Sequence, residues 1–225
     1  DVLGLSLACT KHSFMVESVD ELGQVVADAF RIARSGRPGP VLVDIPKDIQ
    51  LAKAELDTLI ELVAEQYEND EQDAIVAARK LLSEAKKPVL YVGGGVIAAD
   101  AVAELRDFAA LTTMPSVTTL KGIGSLDPNC PQFLGMLGMH GTKAANLVVQ
   151  EADLLVVAGA RFDDRVTGRL NAFAPHAKVI HLDVDAAEVG KLRSAHVGLH
   201  GDMRSLLPQL AMTMNIASWR EHCVA

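Results

Sequence analysis

The sequence predicts an α/β fold: a parallel sheet with helices on both faces. Three observations carry that prediction. Short apolar runs at 89–92, 115–118, 154–158 and 178–183 have the length and continuity of strands buried on both sides. Segments with apolar residues at helical spacing stand between them, and strands alternating with helices give a parallel sheet. The runs lead into glycine-rich or charged loops, and sheets of this class carry ligands at the carboxyl ends of their strands.

Composition narrows the function classes. The 225 residues suffice for one large domain or a domain and a half, and a 49% hydrophobic content supplies a sizeable core. A net charge of -8 argues against nucleic acid as a partner. No apolar run is long enough to span a bilayer, and no charged segment leads into an apolar one as in a signal peptide. Cys9, Cys130 and Cys223 are odd in number and widely spaced. They match neither a zinc pattern nor a disulfide framework, and a reducing cytoplasm fits them best. The chain starts at Asp1, without Met and inside a stretch that reads as ordered, so a piece of a longer polypeptide is expected.

Taken in order, residues 1–14 read as irregular. Ser18 with Glu21 forms a capping box, and Leu22, Val25, Val26, Ala29, Phe30 and Ala33 follow as one helical stripe. Ser35-Gly36 stops that helix, 37–40 is a rigid turn, and 41–45 is a strand ended by Pro46. One helix and one strand make only the end of a domain, residues 1–50, because a single strand cannot satisfy its own backbone. The acidic stretch 51–70 reads as a linker. A complete pattern occupies 71–215, and 216–225 reads as the start of a further linker. Within that pattern, Ile75, Ala78, Leu81, Leu82 and Ala85 line a helix before the strand at 89–92. Val102, Leu105, Phe108 and Ala109 line the next helix. A long loop carries Lys121-Gly122 and 135–141, and a helix at 142–150 precedes the strand at 154–158. After the strand at 178–183 come a short helix near 186–192, a fifth strand at 197–199 and a closing helix at 203–212.

Three loops offer chemistry. The run Gly159-Ala160-Arg161-Phe162-Asp163-Asp164-Arg165-Val166-Thr167-Gly168 puts two arginines and two aspartates at a strand end. Arginine forks grip phosphate or carboxylate oxygens in pairs, although a solvated polar loop has the same composition. Gly93-Gly94-Gly95-Val96-Ile97-Ala98 fits the Gly-x-Gly-x-x-Ala fingerprint between a strand and a helix; a plain tight turn fits equally. The acid that NAD binding requires at the end of the next strand is missing, since 115–119 holds none. Asp183 is an acid at a strand end, suited to ribose hydroxyls or to capping a helix in competition with Asp185. Leu134-Gly135-Met136-Leu137-Gly138-Met139-His140-Gly141, with two methionines and three glycines, suggests an adaptable apolar wall against a flat ligand, or core filler. His140 suits a hydrogen-bond donor or a helix cap, and spacing gives it no carboxylate partner as a general base. His176, His196, His200 and His222 lack ligand spacing, and no nucleophile elbow, zinc box or Walker loop is present. Together the strand-end loops suit one extended anionic ligand with a flat apolar half, for which FAD is the natural candidate.

These motifs are familiar as a set. Thr10-Lys11-His12, the run Ser35-Gly36-Arg37-Pro38-Gly39-Pro40-Val41-Leu42-Val43-Asp44-Ile45-Pro46-Lys47-Asp48, Leu137 to Gly141 and Gly159 to Gly168 resemble the large catalytic subunit of acetohydroxyacid synthase (acetolactate synthase). The likeness covers almost the whole chain. It implies the end of a pyrimidine-binding domain followed by a Rossmann-like central FAD-binding domain of the thiamine-diphosphate enzymes. It implies a parent enzyme that joins two pyruvates, or pyruvate and 2-oxobutyrate, with loss of carbon dioxide, in branched-chain amino acid biosynthesis. Thiamine diphosphate and magnesium serve the parent, and FAD is required there without formal reduction and reoxidation. The implied partners are other large subunits in a homo-oligomer and a small regulatory subunit, in the cytoplasm.

By motif, the resemblance sets Gly93, Gly94 and Gly95 near the FAD phosphates or ribityl chain. Thr119, Leu120, Leu137, Gly138, Met139 and His140 would line the ribityl and flavin region. Gly159, Ala160, Arg161, Asp163, Arg165 and Val166 would hold the middle of the cofactor, and Asp183, Val184 and Asp202 would surround the adenosine. Met139, Asp164 and Arg165 fall on the substrate channel. Leu7 departs from the pattern, standing where some relatives have an arginine. The thiamine-activating glutamate is expected upstream of Asp1 and the Gly-Asp-Gly metal motif downstream of Ala225, so no catalytic residue or metal ligand is expected within these residues and the piece alone should not turn over pyruvate. Two other readings remain: the same portion of a pyruvate oxidase or glyoxylate carboligase, and a non-catalytic nucleotide-binding module.

Overall fold

The computed structural model describes residues 1–55 and 71–224. By its contacts the chain divides into two compact units, Asp1–Tyr67 and Glu68–Ala225. From residue 56 on, the expected linker at 51–70 lies outside the described residues.

The first unit runs α1 (Val2–Ser6), β1 (His12–Met15), α2 (Leu22–Arg34), β2 (Val41–Asp44) and α3 (Lys47–Leu51). The capping box forms as expected: Ser18 donates its N–H to the Glu21 carboxylate at 3.1 Å while its own side chain caps the 3-10 turn Val19–Glu21 that leads into α2. At the other end of α2, the Lys11 ammonium donates to Ile32 O at 2.7 Å and to Ser35 Oγ at 3.0 Å, and also to Ser35 O. A cation there satisfies carbonyls that the helix leaves open. Residues 1–14, expected to be irregular, hold α1 and β1. β1 pairs in parallel with β2, His12 opposite Val41, so the strand read as partnerless has its partner within the chain. Four residues are too few to show a period, which is why His-Ser-Phe-Met did not read as a strand.

The second unit is a six-stranded, all-parallel sheet flanked by helices. Its elements are α4 (Gln72–Glu84), β3 (Pro88–Val92), α5 (Gly94–Ala98), α6 (Val102–Thr112), β4 (Ser116–Thr118), β5 (Phe133–Met136), α7 (Lys143–Glu151), β6 (Leu154–Ala158), α8 (Asp164–Thr167), β7 (Lys178–Asp183), β8 (Val197–His200), α9 (Met203–Leu210) and α10 (Ala217–Val224). The order is β5-β4-β3-β6-β7-β8. The chain therefore winds outward from β3 to one edge, returns to the middle, and winds outward from β6 to the other edge. Right-handed crossovers in the two directions cover opposite faces, and the reversal between β3 and β6 opens a crevice at their carboxyl ends. Every residue of β3 and β6 is buried, with Pro88 opposite Leu154 and Val92 opposite Ala158. Each buried Val or Leu side chain there contributes about 1.5–3 kcal/mol.

Three local expectations change. Within the long loop expected after β4, Phe133–Met136 is an edge strand. Gly135 at φ +97° and a register shift beside Ser116 and Thr118 break its pattern. The short helix expected near 186–192 is a series of turns. The Asp183 and Asp185 side chains accept N–H groups two residues ahead, from Asp185 and Ala187, and Gly190 adopts φ +72°. Such side-chain turns compete with helix. The stretch 216–225, read as the start of a linker, carries α10, whose Trp219 and Cys223 are buried in the core. Trp219 donates its indole N–H to Pro88 O at 3.0 Å, and the Lys87 ammonium lies 5.1 Å from the centre of its ring.

Candidate functional site

At the floor of the crevice, where β3 and β6 end, the chain packs glycine against glycine. Gly93 donates its N–H to Ala158 O and Gly95 to Gly159 O, each at 2.9 Å. A Cβ on Gly93 would lie 2.1 Å from Gly159 O, and one on Gly95 would lie 2.7 Å from Gly159 Cα. Gly159 itself sits at φ +57°. The fingerprint glycines thus let two strand-end loops touch backbone to backbone. Gly94, at the N-terminus of α5, makes no backbone hydrogen bond through its N–H among the described residues, and it faces the other way, toward Lys121.

Beyond Gly159 the arginine loop is pinned from below. Ala160 O accepts a hydrogen bond from His181 Nε2 at 2.9 Å, and Arg161 O accepts one from the Tyr91 hydroxyl at 2.9 Å. Phe162 is buried, its ring edge-on to Tyr91, Phe173 and His181. Anchoring every second residue inward turns Arg161 to the surface. Asp163 caps α8 by accepting the Arg165 N–H at 3.0 Å. That hydrogen bond and the Arg161 and Arg165 guanidinium groups hold the Asp163 carboxyl below its usual range. Asp164 and Arg165 are exposed side by side, 3.9 Å apart; a contact so exposed leaves both side chains available to another partner.

The Leu137–His140 loop meets this one directly. Met139 donates its N–H to Arg165 O at 2.9 Å, and a Cβ on Gly138, at φ +103°, would lie 2.7 Å from the same oxygen. Asn146 of α7 holds the loop from behind: its Oδ1 accepts the Gly138 N–H and its Nδ2 donates to Gly138 O. Leu137 is buried and donates its N–H to Thr118 O, while Met139 and His140 stand exposed. Thr119 caps a 3-10 turn, Leu120–Gly122, which lies against Gly93 and Gly94. Leu120, Ile123 and Met139 leave 70%, 54% and 62% of their surfaces open.

Asp183 and Val184 occupy the carboxyl end of β7, and His200 Nε2 bonds Val184 O at 3.0 Å. Asp183 Oδ1 accepts the Asp185 N–H. Asp202 is the N-cap of α9 and pairs with Arg204 at 2.7 Å, so both its oxygens already have partners. His176 and His196 lie at the opposite end of the sheet, around the start of β7, and His222 pairs with Glu151. No cluster able to hold a metal ion occurs among the described residues, and no helix among them is long and apolar enough to cross a membrane.

The supporting residues Tyr91, Asn146, Phe162 and His181 were not singled out in the sequence as site residues, because each acts on a segment distant from it in the chain or lies inside a motif whose charges draw the eye. His181 also titrates. Its Nδ1 accepts the Gly190 N–H at 3.4 Å, so the neutral ring donates through Nε2. Burial lowers its pKa below the usual 6.5, against the opposing pull of the hydrogen bond to Ala160 and the charges of Asp183 and Glu188. A depressed native pKa means that the unfolded chain binds the proton more readily. Its contribution to stability is therefore complete above pH 6.5 and is lost as the pH falls from there through the native value. Urea midpoints of wild type and His181→Gln, compared across the range from about pH 7.5 to 5, should converge as the pH falls. A constant difference would show that His181 does not titrate.

The sequence model for the central domain of thiamine pyrophosphate enzymes matches residues 75–210. The chain is 59% identical over 223 residues to the acetolactate synthase isozyme 2 large subunit of Escherichia coli (strain K12), covering 99% of this chain and 40% of that relative. It is 47% identical over 213 residues to the isozyme 1 large subunit of the same organism, covering 93% and 37%. It is also 47% identical over 235 residues to the acetolactate synthase large subunit of Corynebacterium glutamicum, covering 99% and 37%. The chain thus spans 37% to 40% of the length of these curated relatives.

Proposed function

The chain belongs to the thiamine pyrophosphate enzymes, as their central domain, and on that footing we propose that it is the FAD-holding middle portion of an acetolactate synthase large subunit. The parent enzyme would condense two pyruvates, or pyruvate and 2-oxobutyrate, with decarboxylation. Thiamine diphosphate and magnesium would be held by parts of the parent outside these residues, in a homo-oligomer of large subunits with a small regulatory subunit.

The observation that carries the FAD reading is the junction of two motifs at one end of the sheet, Met139 N–H on Arg165 O, where Arg161, Arg165 and Met139 all stand exposed. The residues fit the group. An anion of two phosphates suits Arg161 and Arg165, and a flat apolar ring suits Leu120, Ile123 and Met139. Asp183 retains Oδ2 for ribose hydroxyls, whereas Asp202 would have to exchange Arg204 for the ligand. When bound, the flavin would supply a large planar surface beside the substrate channel. The chain's own residues bind and orient it: Tyr91 and His181 fix the arginine loop from below, and Asn146 fixes the methionine loop.

The test is titration with FAD, read by flavin fluorescence quenching. A charge-assisted hydrogen bond contributes about 1.5–3 kcal/mol, so Arg161→Ala and Arg165→Ala should each weaken binding by about one to two decades. Arg220→Ala is the control, since Arg220 reaches Thr113 beyond the far end of the sheet. Equal affinities in all four proteins would remove the arginine loop from the site.

A further inference from the structure

We infer that the opposite end of the same sheet carries a second site, for a phosphomonoester. An open depression of about 510 Å³ lies at the amino ends of β7 and β8. Its polar lining comprises Asn171, His176, Lys178, Arg193, Ser194 and His196, and no Asp or Glu lines it. In a chain of net charge -8 that absence stands out.

Two members of the lining, Arg193 and His196, are held in place, while Asn171, His176, Lys178 and Ser194 stand exposed around them. Arg193 donates from Nη2 to Ala174 O at 2.7 Å and to Ala177 O at 2.9 Å, and from Nη1 to Phe173 O, which places a fixed positive charge in the wall. His196 is locked by a reciprocal pair: its N–H donates to Val179 O at 2.8 Å and its Nδ1 accepts the Val179 N–H at 3.1 Å. The neutral ring must therefore carry its proton on Nε2 as a donor. The side chains of Lys178, His176, Ser194 and Asn171 make no hydrogen bond or ion pair among the described residues, so their donors are available.

Donors of this number around one depression suit a multi-oxygen acceptor. A carboxylate offers two oxygens in a plane, whereas a phosphate monoester offers three terminal oxygens and close to two charges. Leu170, Pro175, Ala177 and Leu192 supply apolar wall for the organic group, and Leu192 is 54% exposed. An adjoining hollow of about 350 Å³ shares Lys178 and His196 and adds Lys80 and Glu84, giving the ester substituent room to extend along α4.

Calorimetric titration of the 225-residue chain with inorganic phosphate, phenyl phosphate and acetate tests this. Wild type should bind phosphate with a dissociation constant of about 1 mM or tighter, phenyl phosphate more tightly, and acetate at least tenfold more weakly. Lys178→Ala and His196→Gln should each weaken phosphate binding about tenfold, and Arg161→Ala, at the other end of the sheet, should leave it unchanged. No phosphate binding by wild type, acetate binding as tight as phosphate, or weakening by Arg161→Ala but not by Lys178→Ala would each overturn the assignment. Far-ultraviolet circular dichroism of the two exposed-site variants confirms that they fold.

Discussion

Trp219→Ala should lower the unfolding free energy of the second unit by about 3–5 kcal/mol, the usual loss when a buried aromatic is truncated and its space stays open. Trp219 is 4% exposed although it belongs to the short C-terminal helix α10. It is held on every side. Its indole N–H bonds Pro88 O, the Lys87 ammonium covers one part of the ring, and His222 stacks at 5.5 Å between centroids. Lys87 is itself tied to Glu151 at 3.3 Å, which joins α10, the entry to β3 and the end of α7. Trp219→Phe should cost less, since it keeps part of the ring and leaves one carbonyl without a partner, a penalty of about 1–3 kcal/mol. Urea unfolding followed by circular dichroism measures both. A loss below about 1 kcal/mol for Trp219→Ala would mean that α10 is not docked.

Gly93→Ala should damage both stability and ligand binding. The added Cβ would meet Gly159 O at 2.1 Å and Ala160 Cα at 2.5 Å, and both atoms are main chain. Nothing there can rotate away, so the loops after β3 and β6 must separate, at a cost of about 1–3 kcal/mol or more. Moving Ala160 also disturbs the carbonyl that His181 holds, and with it the position of Arg161. FAD affinity should then fall at least as far as in Arg161→Ala. Gly124→Ala is the comparison: Gly124 lies at φ +94° but a Cβ there meets nothing within 4 Å, so only the local backbone cost of about 1 kcal/mol is expected. Equal melting points for the two variants would refute the argument from contact.

Much of this was legible in the chain. The strands of the central sheet read correctly where apolar residues run without interruption, as in Leu154–Ala158, because burial on both faces demands them. Helices α2, α4 and α6 showed their stripes because each turns one face to a sheet. Elements without such a face stayed hidden. α1 has five residues, β5 contains a glycine at positive φ, and α10 buries only Trp219 and Cys223 among polar neighbours. In the candidate site, the charged and glycine-rich loops stood out in the sequence as motifs. What positions them did not, since Tyr91 reaches across 70 residues to Arg161 and His181 across 21 to Ala160. The fingerprint glycines read equally as a phosphate approach or a tight turn, and the second loop that lies against them did not show in the sequence.

The seam between those loops bears on motion. Gly93 and Gly95 sit in a glycine-rich turn, where amide protons usually exchange with solvent quickly. Here their N–H groups are bonded to Ala158 O and Gly159 O, in line with the two innermost strands. Breaking either bond requires prising β3 and β6 apart, so these protons should exchange only in the rare openings that expose the central sheet. Any adjustment to an incoming ligand must then come from the exposed side chains of the rim, those of Met139, His140 and Leu120.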